Sequence, residues 1–162
     1  MIKANALILV MRVNDYKDHQ FFKDHDCVMK DVGYVWMLKV GKRIPELRMQ
    51  DVLKGGGHVI FRGSKASGGK YYYAHVEEVK YGTPDVSMVF PEYYRSMVSD
   101  PSLWTLDSLD GTWLKLTSLQ EMRSELIQNI KLISNGKSVD EAMKSSMTSF
   151  VYAKSTQDLV VD

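Results

Sequence analysis

Apolar residues fall along the chain in short runs of two periods, which predict strands through the middle and helices toward the ends. Residues 6–13 form an apolar, partly β-branched run broken only at Arg12, a length that suits a strand. Asn14 and Asp15 offer an N-cap. Phe21, Phe22, Cys27, Val28 and Val32 then recur among charges, predicting one amphipathic helix over 16–32 with Gly33 as its stop. Residues 34–40 read as a second strand. Residues 44–53 suit a short helix with Pro45 in its first turn.

The triple glycine at 55–57 breaks the chain, and His58 to Arg62 reads as a strand. Gly63 to Lys70 has the composition of a turn, so the aromatic and β-branched run 71–81 pairs back on 58–62 as a hairpin. Pro84, Pro91 and Pro101 make 84–110 irregular, and Asp110-Gly111 marks a turn before a strand at 112–116. Ser118-Leu-Gln-Glu121 fits a capping box. Leu119, Met122, Leu126, Ile130 and Ile133 follow at helical spacing. Ser138-Val-Asp-Glu141 is a second box, with Val139, Met143, Met147 and Phe150 behind it, and residues after Lys154 read as a flexible tail. Strands grouped apart from helices predict an α+β fold.

Composition changes this picture little. The 162 residues suit one domain over 1–154, and the formal net charge is +1. A single cysteine, Cys27, excludes an intrachain disulfide and suits a reducing compartment. No secretory leader or membrane-length apolar run is seen, so the sequence is read as cytoplasmic.

The distribution of charge is more informative. Residues 39–70 hold eight bases (Lys39, Lys42, Arg43, Arg48, Lys54, Arg62, Lys65 and Lys70) against Glu46 and Asp51. Residues 71–110 hold seven acids against Lys80 and Arg95. Bases interleaved with rings form the footprint of phosphate and base binding, here with Trp36, Phe61 and Tyr71 to Tyr73 as the rings. Alternation puts Tyr71 and Tyr73 on one face and Tyr72 on the other.

Catalytic motifs fail on spacing. Gly63-Ser-Lys-Ala-Ser-Gly-Gly-Lys70 sets its Gly-Lys pair one position late for a phosphate loop, and it lies between strands. His19, His25 and Cys27 diverge on a helix, and Glu77-Glu78 point to opposite faces of a strand. No metal, cofactor or nucleophile–base pair is implied, which favours a binding module over an enzyme.

The order of elements carries a resemblance. Tyr34-Val-Trp36-Met-Leu-Lys39 resembles the opening strand of EVE domains, and Leu53 to Phe61 is similar to their Lys-Gly-Asp segment and following strand. Ala74 to Val79 and Trp113 to Leu116 resemble later strands, so the likeness covers about 34–133, with residues 6–32 as a strand–helix extension. EVE, ASCH and YTH domains belong to the PUA-like superfamily. The resemblance implies a small, mostly antiparallel β-barrel with flanking helices that binds RNA or a modified base in a basic, aromatic-lined cleft without metal, while the charge pattern suits RNA and DNA alike. It carries over Trp36 and Lys39. With the charge pattern, the expected interface is Trp36, Lys39, Arg43, Phe61, Arg62, Lys65, Lys70, Tyr71 and Tyr73. A second expectation is a protein-binding or inhibitory module using the acidic, tyrosine-rich surface 81–110.

Overall fold

In a computed structural model, which describes residues 1–64, 68–97, 109–145 and 149–161, one seven-stranded sheet organises the chain. The sheet is mixed and curls into a half-barrel, and with its helices it makes an α+β fold. The strands are β1 (Ile8–Arg12), β2 (Val35–Lys39), β3 (His58–Arg62), β4 (Tyr71–Gly82), β5 (Gly111–Glu121), β6 (Ile130–Leu132) and β7 (Phe150–Ser155). Their order is β2-β5-β4-β3-β1-β7-β6. Every pairing is antiparallel except β1 with β3, so the sheet is mostly antiparallel but mixed, and it forms a half-barrel.

The N-terminal segment is no extension. β1 lies between β3 and β7, and its near-continuous apolar run is what a strand covered on both faces requires. The helix α1 (Phe21–Val32) begins later than expected, because residues 16–19 close a small turn by mutual bonds between Tyr16 and His19. Asp15 still serves the helix start, its Oδ1 accepting the Phe21 N–H at 2.9 Å. Gly33, at φ 89°, ends the helix in the left-handed conformation. The helix α2 (Glu46–Lys54) runs into the triple glycine. There Gly57, at φ +69°, lies so close to β4 that a Cβ would sit 2.2 Å from the Val76 carbonyl oxygen.

The β3–β4 hairpin has the expected partners, Ile60 opposite Tyr73 and Arg62 opposite Tyr71. Residues 118–133 do not form the expected helix. β5 continues to Glu121 along β4, with Leu119 opposite Ala74 and the Ser118 hydroxyl accepting the His75 N–H at 3.1 Å. Only α3 (Ser124–Ile127) is helical before β6. The second capping box does open a helix, α4 (Val139–Ser145), but Phe150 belongs to β7 and Met147 lies outside the described residues. The end of the chain is also packed: Ile2 and Leu159 exchange backbone bonds of 2.8 Å, and Leu159 and Val161 are buried.

Alternation sorts the core into three clusters. Leu9, Met11, Phe61, Val76 and Leu116 face α1 and α2 on one side of the sheet. Ile8, Val10, Ile60, Tyr71 and Tyr73 pack with α3 and α4 on the other. Trp36, Trp113, Tyr93 and Tyr94 form the third, under the 88–97 segment.

Candidate nucleic-acid interface

Strand alternation and chain reversal distribute the eight described of the nine expected residues between the core and separate surfaces. Trp36 is 4% exposed, against Met88, Tyr93, Tyr94 and Trp113, so its ring offers no open face. Phe61 is fully buried, near Phe21 at 5.6 Å between centroids. Tyr73 is buried and its hydroxyl bonds His58 Nδ1 at 2.8 Å. Arg43 lies exposed near α2, its guanidinium 4.5 Å from the Tyr81 ring centroid. Lys39 is buried at the end of β2. Lys65 lies outside the described residues.

Three of the nine do converge. Arg62, Lys70 and Tyr71 share a cleft of about 640 Å³ with Arg123, Asp140 and Lys144. The cleft lies between the β3–β4 hairpin end and the segments carrying α3 and α4. Register explains the gathering: Arg62 ends β3 where Tyr71 begins β4, and in the parallel pairing Arg12 stands beside Arg62. The Arg62 guanidinium donates to the Tyr71 hydroxyl at 3.3 Å, and that hydroxyl donates to Asp140 at 2.8 Å. The Arg12 guanidinium donates to the Met143 carbonyl.

The electrostatics are those of a site crowded with cations. Burial, and then the charge of Arg62, lower the pKa of Arg12. Burial and the bond to Asp140 push the Tyr71 phenol well above its ordinary value, so it stays a neutral donor. Burial works against the Asp140 carboxylate, but bonds from Lys144 and Tyr71 and the charges of Lys144 and Arg62 hold its pKa below the usual value. Lys70 pairs with Glu121 at 3.3 Å and Lys144 with Asp140 at 2.9 Å, both largely exposed to screening solvent. Glu125 is the third acid of the lining, and Arg123 makes no ion pair among the described residues.

Arg12, Arg123 and Lys144 were not among the expected residues. Each lies outside the basic stretch 39–70, and the pairing of β1 with β3, the run of β5 along β4 to Glu121 and the packing of α4 bring them toward Arg62. The half-buried ring is that of Tyr72, stacked on Phe22 with centroids 3.4 Å apart. Those two rings line a second cleft of about 530 Å³, which shares Lys70 and Glu121 with the first.

In the acidic stretch, Tyr93 and Tyr94 turn into the core, and Trp104 lies outside the described residues. His25 is fully buried, with Nδ1 bonded to the Phe21 carbonyl at 2.6 Å and Nε2 to the Tyr94 hydroxyl at 2.5 Å. No helix among the described residues is long and apolar enough to cross a membrane. No protein-family model matches the chain, and no curated protein matches it.

Proposed function

We propose that the chain is a non-enzymatic nucleic-acid-binding module whose contact surface is the cationic cleft at the hairpin end. The observation that carries this reading is the convergence of Arg62, Lys70, Arg123 and Lys144 from four separate segments on one opening, with Arg12 in register beside Arg62. Phosphates are bound in such a cleft by guanidinium and ammonium donors, which position a strand without reading its sequence. Because Trp36, Phe61, Tyr71 and Tyr73 are buried, the stacking surface in this reading is the Phe22–Tyr72 pair, reached past Lys70. A PUA-like assignment belongs to the same proposal. A curled sheet with flanking helices is compatible with it, while its two carried-over residues, Trp36 and Lys39, lie away from the cleft.

Fluorescence anisotropy with labelled single-stranded RNA and DNA, at several salt concentrations, tests the reading. Affinity should fall steeply with salt, and Arg123→Ala and Lys144→Ala should each flatten the slope by about one unit. Absent binding, or a slope unchanged in the double variant, overturns the proposal.

A further inference from the structure

The curl of the sheet brings its first strand near its sixth: the Lys39 ammonium at the end of β2 lies 5.1 Å from the ring centroid of Phe150, which opens β7. The Lys42 ammonium lies 5.6 Å from the same ring. Lys39 is 8% exposed, and it donates to the carbonyls of Val40 at 3.2 Å and Lys42 at 2.6 Å, leaving a third N–H without a partner among the described residues. No carboxylate lies within ion-pair distance of Lys39 or Lys42 among the described residues.

A buried cation is ordinarily paired, and carbonyl oxygens and a ring face solvate it without neutralising it. A second ammonium on the same ring makes the deficit of negative charge larger. Burial first, and then the charge of Lys42, lower the Lys39 pKa, the signature of a cation lacking its counter-ion. Against Lys39 lies an open cavity of about 330 Å³ that Arg12, Tyr16, Phe21, Met37 and Met97 also line, with Lys42 at its rim through the shared Phe150 ring. Among the described residues its one carboxylate is Asp15, which accepts the Phe21 N–H at the start of α1.

We infer that this seam is an anion subsite for a phosphomonoester carried on a flat, partly apolar body, the chemistry of a nucleoside monophosphate or of a 5′-phosphorylated strand end. A phosphomonoester carries about −1.5 to −2 charges at neutral pH, which two ammoniums match better than they match a phosphodiester. The half-buried Tyr16 ring and the exposed Met97 in the lining suit the base and sugar. The subsite extends the nucleic-acid reading but stands on residues that do not line the cationic cleft.

The test is calorimetric titration with adenosine monophosphate, adenosine and inorganic phosphate, together with NMR amide shifts. The monophosphate should shift the Val40, Lys42 and Ser149 amides and bind about tenfold or more tightly than adenosine. Exposed Lys42→Ala should lose about tenfold and Lys39→Met nearly all binding, with far-UV circular dichroism confirming that both fold. Lys30→Ala, exposed on α1 and paired with Asp26, should leave monophosphate affinity unchanged. Comparing 5′-phosphorylated with 5′-hydroxyl decamers assigns the source: tighter binding of the former identifies a strand end, equal binding a free nucleotide. Equal affinity for adenosine and its monophosphate, no binding of either, or an unaltered Lys42→Ala affinity overturns the inference. Salt-dependent binding of hydroxyl oligonucleotides that persists in that case leaves the cationic cleft standing.

Discussion

Acid should destabilise this protein through His25 before its carboxylates are protonated. The imidazole is buried, and Nδ1 donates to the Phe21 carbonyl, so Nε2 must accept the Tyr94 hydroxyl proton. The Tyr94 oxygen in turn accepts the Leu38 N–H at 3.2 Å. Protonating Nε2 reverses its bond to Tyr94, strands the phenol proton and places a cation in the core, with burial as the dominant penalty. The His25 pKa accordingly falls from 6.5 to about 4. An unfolded chain takes up this proton as pH drops through 6.5, whereas the folded chain does so only near 4. Stability is therefore whole above 6.5, declines through the window and levels off below 4. That gap corresponds to about 3 kcal/mol from one residue, against a typical total of about 5–15 kcal/mol. His58, buried and close to the N-terminal amine and His75, is lowered to about 4 as well and acts in the same direction.

Urea melts of wild type and His25→Gln at half-unit steps from pH 7.5 to 4 isolate the term, because carboxylate titration is common to both chains. The variant starts about 1–3 kcal/mol lower at pH 7.5, having lost its buried bonds. Its curve should then be flatter than wild type by up to about 3 kcal/mol over the window. The His25 ring protons should titrate near pH 4 by NMR. Parallel stability curves, or a midpoint near 6.5, would refute the buried-imidazole argument.

Three substitutions test the packing. Gly57→Ala should cost about 3 kcal/mol or more, since its Cβ would meet the Val76 carbonyl at positive φ, whereas Gly33→Ala, with nothing within 4 Å, should cost only about 1–2 kcal/mol. Equal losses in urea melts would mean that the close approach to β4 is not what requires glycine. Trp36→Ala should cost about 3–5 kcal/mol by the same assay while leaving the oligonucleotide salt slope intact. A lost slope with unchanged stability would return Trp36 to the interface.

Where one local signal had one structural solution, the sequence was readable. The 58–62 and 71–81 strands are apolar and β-branched, the glycine-rich turn admits no helix, and the hairpin forms as expected. Residues 118–133 satisfy two solutions. Ser118 and Glu121 have capping-box spacing, and the apolar positions recur at three and four, yet the same positions also serve strand, turn, short helix and strand. Leu119 packs against the α1–α2 cluster, whereas Met122, Ile127 and Ile130 fall in the cluster on the opposite face, which one helical stripe could not do. Pairing with β4 decided the outcome, and that partner lies some forty residues upstream.

The interface was harder to read because charge was counted along the chain while a sheet arranges charge across it. A base next to a ring in a strand points to the opposite face, so Phe61 enters the core and Arg62 the cleft from adjacent positions. Rings that do share a face with a base come from the neighbouring strand, and Tyr71, opposite Arg62, is already held by Asp140. Adjacency of aromatic and basic residues at 61–62 thus reports one core position and one surface cation rather than a stacking platform. Cations of α4 and the β5–α3 turn complete the cleft, with Arg12 of β1 in register beside Arg62, and no local window joins them to Arg62. It follows that the cleft itself contributes charge, while an open ring can come only from the other face, where Tyr72 meets Phe22 beyond Lys70. Substituting Tyr72 should therefore alter preference among bases and leave the salt slope in place, whereas substituting Arg123 should do the reverse.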